Sequence, residues 1–189
     1  MLKYFITILV FFGLNALKAD TLPVLPAVNL DSISFTVKVK ALDLSEDGTP
    51  GATMNDEVFL FVYRQNGACL PQNIAAQFFI LDTAKRVKTI KIKTSKILPT
   101  DTLTFILLEQ DSNKQITGIE PVCRLYLNDI YENYQKNGTT GFFKYFDDDD
   151  VLGMYRIMGS KFDLSKPIIK KFESINMFDW AIYKLEISN

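Results

Sequence analysis

The chain has 189 residues, 48% of them hydrophobic and 23% charged, with 21 basic against 22 acidic side chains. That near balance argues against general nucleic-acid binding, which needs a basic surface, and the length suits one domain that buries a core without disulfide staples. The complete absence of histidine removes Ser-His-Asp and Cys-His catalysis within the chain and leaves zinc only two thiols.

The chain opens "MLKYFITILVFFGLNALKA": a positive start, a short apolar stretch and a small residue at the end. This is the pattern of a secretory signal peptide, with cleavage expected after Ala19. The apolar run falls short of the roughly 20 residues needed to cross a bilayer. The expectation is a signal peptide over residues 1–19 and one domain over residues 20–189, secreted or periplasmic. Without Lys3 and Lys18 that domain carries 19 basic and 22 acidic residues, a net charge of −3.

Pro23 and Pro26 make a stiff entry. "ISFTVKVK", residues 33–40, then alternates apolar and polar as a half-buried strand does. Residues 45–55 hold acids, two glycines and a proline, and read as a long loop. The nearly continuous apolar run at residues 58–63 reads as a buried strand. Another is expected at residues 78–81, with residues 74–77 either helical or extended. Residues 88–94 and 102–108 continue the β pattern, and residues 180–187 alternate as a closing strand. Many short strands separated by Gly, Asp and Asn favour an all-β sandwich.

One segment breaks this pattern. Apolar residues at Val122, Leu125, Tyr126, Ile130 and Tyr134 fall near helical spacing. Pro121 suits a first helical turn and Asn137-Gly138 a stop, so a helical insertion is expected over residues 122–136. Asn137-Gly138-Thr139 also matches a glycosylation acceptor, which has meaning only in a eukaryotic secretory pathway.

Acidic residues concentrate in three segments, and calcium sites are built from oxygen ligands contributed by loops. The first, "LDLSEDGTPGATMNDE", holds Asp43, Glu46, Asp47, Asp56 and Glu57. In the second, "LLEQDSN", Glu109 and Asp111 sit two apart after a strand, on the same side of an extended segment. The third is "FDDDDVLG", residues 146–153, where Asp148 and Asp150 likewise share a side. Asp is also favoured in ordinary solvated turns, which need no metal. If an ion is held, the all-oxygen donor set favours calcium over zinc or copper.

The order of these segments resembles the C2 domain, an eight-stranded antiparallel β-sandwich that often binds calcium at one end and then engages membranes. "ALDLSEDG" followed by "NDEVFLFV" is similar to its first calcium loop, and the resemblance puts Asp47 and Asp56 in the matching places. Glu109-Gln110-Asp111 is similar to its Asp-x-Asp pair, and Asp150-Val151-Leu152-Gly153 to the Asp before an aliphatic strand start. The implied ligand set is Asp47, Asp56, Glu109, Asp111, Asp148 and Asp150. The chain departs from the family in a longer first loop, in Glu57 where a proline commonly stands, and in the helical insertion between Asp111 and Asp150.

Cys69 and Cys123 are the only cysteines. In an oxidising compartment one pair reads as one disulfide, closing a long loop for about 4 kcal/mol on the chain-entropy account. The alternative is two buried thiols. Lys85, Arg86, Lys88, Lys91, Lys93 and Lys96 form the one basic cluster. It reads as an edge strand guarded by lysines, although related domains use a basic strand here for anionic lipid headgroups. Phe142, Phe143, Tyr145 and Phe146 read as packing against the helical insertion, or as a membrane-inserting or partner-binding tip.

The function expected from these features is an exported, non-enzymatic binding module. Calcium would be its cofactor, and acidic loops would dock it to a membrane surface or a protein partner. The alternative is a metal-independent interaction protein, such as an envelope or secretion-apparatus component or an exported effector. A histidine-free hydrolase using paired carboxylates is the minority third reading.

Overall fold

Alternation along the chain builds the first sheet. In β1 (Ser32–Leu44) the side chains of Phe35, Val37, Val39 and Ala41 are buried, while Ser34, Thr36, Lys38 and Lys40 take the opposite face. β8 (Trp180–Ser188) answers with Ala181, Tyr183, Leu185 and Ile187 on its buried face. These residues come from a computed structural model that describes residues 31–44, 55–109, 115–140, 151–175 and 180–189. The remaining strands are β2 (Asn55–Asn66), β3 (Gln72–Asp82), β4 (Val87–Ser95), β5 (Asp101–Glu109), β6 (Val151–Met158) and β7 (Ile168–Ile175). Two four-stranded sheets result, ordered β4-β1-β8-β7 and β3-β2-β5-β6, with antiparallel pairing throughout. The expected eight-stranded antiparallel sandwich with a helical insertion is the observed architecture.

The continuous apolar run of β2 has a physical reason: both of its faces are covered. Val58, Leu60 and Val62 enter the core between the sheets, while Phe59, Phe61 and Tyr63 enter a second cluster on the outer face. The helices α1 (Ile116–Leu125) and α2 (Leu127–Asn137) lie over that face. Ile119, Cys123, Leu127 and Ile130 pack there on Phe59, Phe61, Tyr63, Ile106, Leu108 and Met154. Fully burying side chains of this size contributes about 1.5–3 kcal/mol each.

Arg156 of β6 fastens the helices. Its Nε donates to Thr104 Oγ1 at 3.0 Å, its Nη2 to Asn128 Oδ1 at 3.0 Å, and its guanidinium lies 3.9 Å over the Tyr131 ring. The Tyr63 hydroxyl donates to the Glu120 carbonyl at 3.2 Å, and burial pushes that phenol above its ordinary range.

The helix expectation is corrected at its start. Helix begins at Ile116 rather than residue 122, so Pro121 lies inside α1 instead of in its first turn. Proline there forfeits one ladder hydrogen bond, and the apolar stripe seated on the sheet holds the helix nevertheless. Tyr126, at φ −107° and ψ 19°, separates α1 from α2. Gly138, at φ +62°, ends α2 as the Asn-Gly stop anticipates.

The expected disulfide is also corrected. Cys69 is exposed in the turn between β2 and β3, whereas Cys123 is buried on the sheet-facing stripe of α1 with its thiol beside the Tyr63 hydroxyl, and both are thiols. Counting cysteines pairs them; the helix's seat on the sheet turns Cys123 away from that bond. A thiol reagent is expected to label Cys69 in the native protein and Cys123 only after unfolding, read by intact mass without reductant. A single label or none after unfolding contradicts this assignment.

Candidate functional site

Strand register gathers the borders of the acidic segments at one end of the sandwich. Within the first sheet, Leu44 at the end of β1 pairs with Ala181, and Lys40 pairs with Val87 at the start of β4. Within the second, Asn55 pairs with Asp82, Val58 with Glu109, and Leu108 with Val151. The β3–β4 turn joins the two sheets here, its Asp82 N–H donating to the Lys85 carbonyl at 3.4 Å. The described borders of the three acidic segments, Leu44 and Asn55, Glu109, and Val151, therefore lie at this end.

Of the six expected ligands, Asp47, Asp111, Asp148 and Asp150 lie outside the described residues. Asp56 and Glu109 lie within them. Glu109 closes β5, half-buried, directly opposite Val58. Asp56 shares Val58's inward parity two residues away, so the two acids are diagonal neighbours on adjacent strands. Among the described residues no group of three or more His, Cys, Asp or Glu is assembled for a metal ion.

Asp56 differs from a loop ligand in its surroundings. It is buried, 5% exposed, and its carboxylate accepts a hydrogen bond from the Tyr183 hydroxyl of the opposite sheet. A buried carboxylate needs such a donor, and the bond closes the core between the sheets at this end. Tyr183 escaped the sequence reading. Its signal is parity: it shares the inward face of β8 with Ala181, Leu185 and Ile187, where a phenol requires a partner.

The basic cluster does not act as a unit. Lys91 and Lys93 point outward on the edge strand β4, Lys88 shares the inward parity of Ile90 and Ile92, and Lys85 and Arg86 lie in the β3–β4 turn. On the same outer face Glu186 takes Lys184 at 3.1 Å and Lys38 at 3.7 Å. The hydrogen bond from Lys184, aided by Lys38, holds the Glu186 carboxyl below its ordinary range. The aromatic group Phe142, Phe143, Tyr145 and Phe146 lies outside the described residues.

The opposite end of the sandwich is fastened by ions. Asp101, fully buried, meets Arg64 at 2.7 Å and accepts from the Leu98 N–H at 2.6 Å and Asn66 Nδ2 at 3.1 Å. Arg64 also donates to Ser95 of β4, which ties the two sheets together.

No protein-family model and no curated protein matches the chain. Solved structures similar to it include a C2 domain of plant Extended Synaptotagmin 1, at 10% identity over 82% of this chain and 92% of that one, with a TM-score of 0.37. A second is another C2 domain, at 12% identity over 84% of this chain and 98% of that one, with a TM-score of 0.33.

Proposed function

We propose that the chain is an exported binding module whose acidic end takes up calcium and then docks to a membrane surface or a protein partner. The observation that supports this reading is the register that sets Asp56, Glu109 and the first residue after the four aspartates, Val151, at one end. Adjacent carboxylates repel by about 1 kcal/mol per close pair even in water. A divalent cation relieves that repulsion and offers open coordination positions to a partner's oxygen. Affinity comparable to extracellular calcium modules is expected, on the order of 10⁻⁴ to 10⁻³ M.

Co-sedimentation with vesicles tests the docking step. The protein is expected to pellet with vesicles containing phosphatidylserine in calcium and to stay in the supernatant with chelator. Equal pelleting in both conditions, or none with vesicles while a protein partner is also bound without calcium, contradicts calcium-dependent docking.

A second reading has its own support, in the buried Asp56 carboxylate already engaged by Tyr183. On that reading the acids close the core and set the loops, and the module binds its partner without metal.

A further inference from the structure

The β3 edge differs from both edges of the other sheet, β4 and β7. β3 is the outermost strand of its sheet, and in its run "QNIAAQFFILD" only the last residue carries a charge. The edge strand β4 carries Lys88, Lys91 and Lys93, and the edge strand β7 carries Lys170, Lys171 and Glu173. Charges of that kind blunt an edge against strand addition, and a long uncharged edge invites it. Among the described residues, β3's backbone bonds outside its pairing with β2 reduce to the Asp82–Lys85 turn. Among the described residues, its outer N–H and C=O groups are therefore open to a further strand.

Beside this edge lies a cleft of about 1010 Å³, running from Phe78–Asp82 to Lys85–Lys88 as β3 and β4 diverge. Phe78 (39%), Ile80 (45%) and Val87 (44%) expose apolar surface there. Three cations stand at the turn end, Lys85, Arg86 and Lys88, and none has a carboxylate partner among the described residues. The one acid in the cleft is satisfied internally, since Asp82 accepts from the N–H groups of Ala84 at 2.7 Å and Lys85 at 2.5 Å.

We infer that this cleft docks an extended peptide that adds to the edge of β3 as an antiparallel strand. The peptide is apolar where it passes Phe78 and Ile80 and acidic where it reaches Lys85, Arg86 and Lys88. Main-chain hydrogen bonds supply affinity in strand addition, and alternate side chains supply specificity. Antiparallel pairing fixes the order: acids at the peptide's N-terminal end meet the turn cations, and apolar residues follow. This occupant accounts together for the uncharged edge, the exposed apolar side chains and the cations that meet no carboxylate among the described residues.

The test is fluorescence anisotropy with labelled synthetic peptides of about ten residues, a typical strand's upper length, in chelator so that calcium plays no part. The parent peptide carries glutamates first, then alternating valine and threonine. Its controls reverse that order, replace the glutamates by lysines, or place proline at alternate positions. The parent is expected to bind saturably and each control at least about tenfold more weakly. Lys85→Glu with Arg86→Glu is expected to weaken the parent by a similar factor, and Lys171→Glu on the far edge to leave it unchanged. Circular dichroism confirms that these surface variants fold. Equal binding of the proline or lysine peptide, or no saturable binding, overturns the inference. So does a dimer in sedimentation equilibrium that Ile80→Lys dissolves, since a second copy would then own the edge. Because no arm contains calcium, failure here leaves the calcium-dependent reading to its own tests.

Discussion

Asp101→Ala is expected to destabilise the protein by about 3–5 kcal/mol, the cost of breaking a buried ion pair from one side. Asp101 is fully buried and its carboxylate is used three times, by Arg64, Asn66 and the Leu98 N–H. Removing it strands the Arg64 guanidinium, whose side chain is 14% exposed, and releases the turn that leads into β5. For a chain of this size the midpoint of thermal unfolding drops by an amount on the order of 10 °C. The double variant Arg64→Met with Asp101→Leu is expected to recover most of the loss, because the pair's own net contribution is small. If the double variant melts as low as the single one, the loss lies in packing rather than in stranded charge.

Gly159→Ala is expected to cost about 3 kcal/mol, at the upper end for overpacking. Gly159 opens a short 3₁₀ turn (Gly159–Lys161) after β6, and the Ser160 N–H donates to the Pro99 carbonyl at 3.1 Å. A Cβ at residue 159 would stand 1.9 Å from the Leu98 carbonyl oxygen and 3.1 Å from Ile97 Cγ2. The obstacle is backbone, which cannot rotate aside as a side chain can. Gly118 in α1 supplies the contrast, since a Cβ there meets nothing within 4 Å. Gly118→Ala is expected to gain up to about 1 kcal/mol from helix propensity. Urea midpoints measured for both separate the two cases. A shift for Gly159→Ala no larger than for a surface substitution contradicts the packing described. Asp101 and Gly159 both touch the turn at residues 97–100, Asp101 through the Leu98 N–H and Gly159 against the Leu98 carbonyl, so their effects are not expected to add.

Residues that alternate cleanly were the legible ones. β1 and β8 announce themselves because each has one face in the core and one in water. β2 announces itself because both faces are covered. β7 was missed for a specific reason: Ile169 is exposed, while Lys170 holds the parity of the buried Phe172 and sets its ammonium 4.6 Å over the Tyr155 ring. The burial alternates; the residue types do not. Pro121 misplaced the helix start because proline suits a first turn, and no local rule says that a tertiary seat will carry it further in. At the candidate site the order of acids along the chain was readable; of the residues it names, the described strands place only Asp56 and Glu109, on adjacent strands at one end. The engagement of Asp56 by Tyr183 was not, because it joins residues 127 positions apart across the two sheets.

Thermal unfolding in calcium and in chelator tests the central claim, that the acidic end takes up the ion, most directly. At 100 times the dissociation constant, an ion bound only by the folded state adds about 2.7 kcal/mol. That raises the midpoint by about 5–10 °C for a chain of this size. Asp111→Asn together with Asp150→Asn is expected to abolish the rise while leaving the midpoint in chelator close to that of the parent. A midpoint indifferent to calcium, or a rise that survives both substitutions, contradicts the claim and leaves the metal-independent reading in its place.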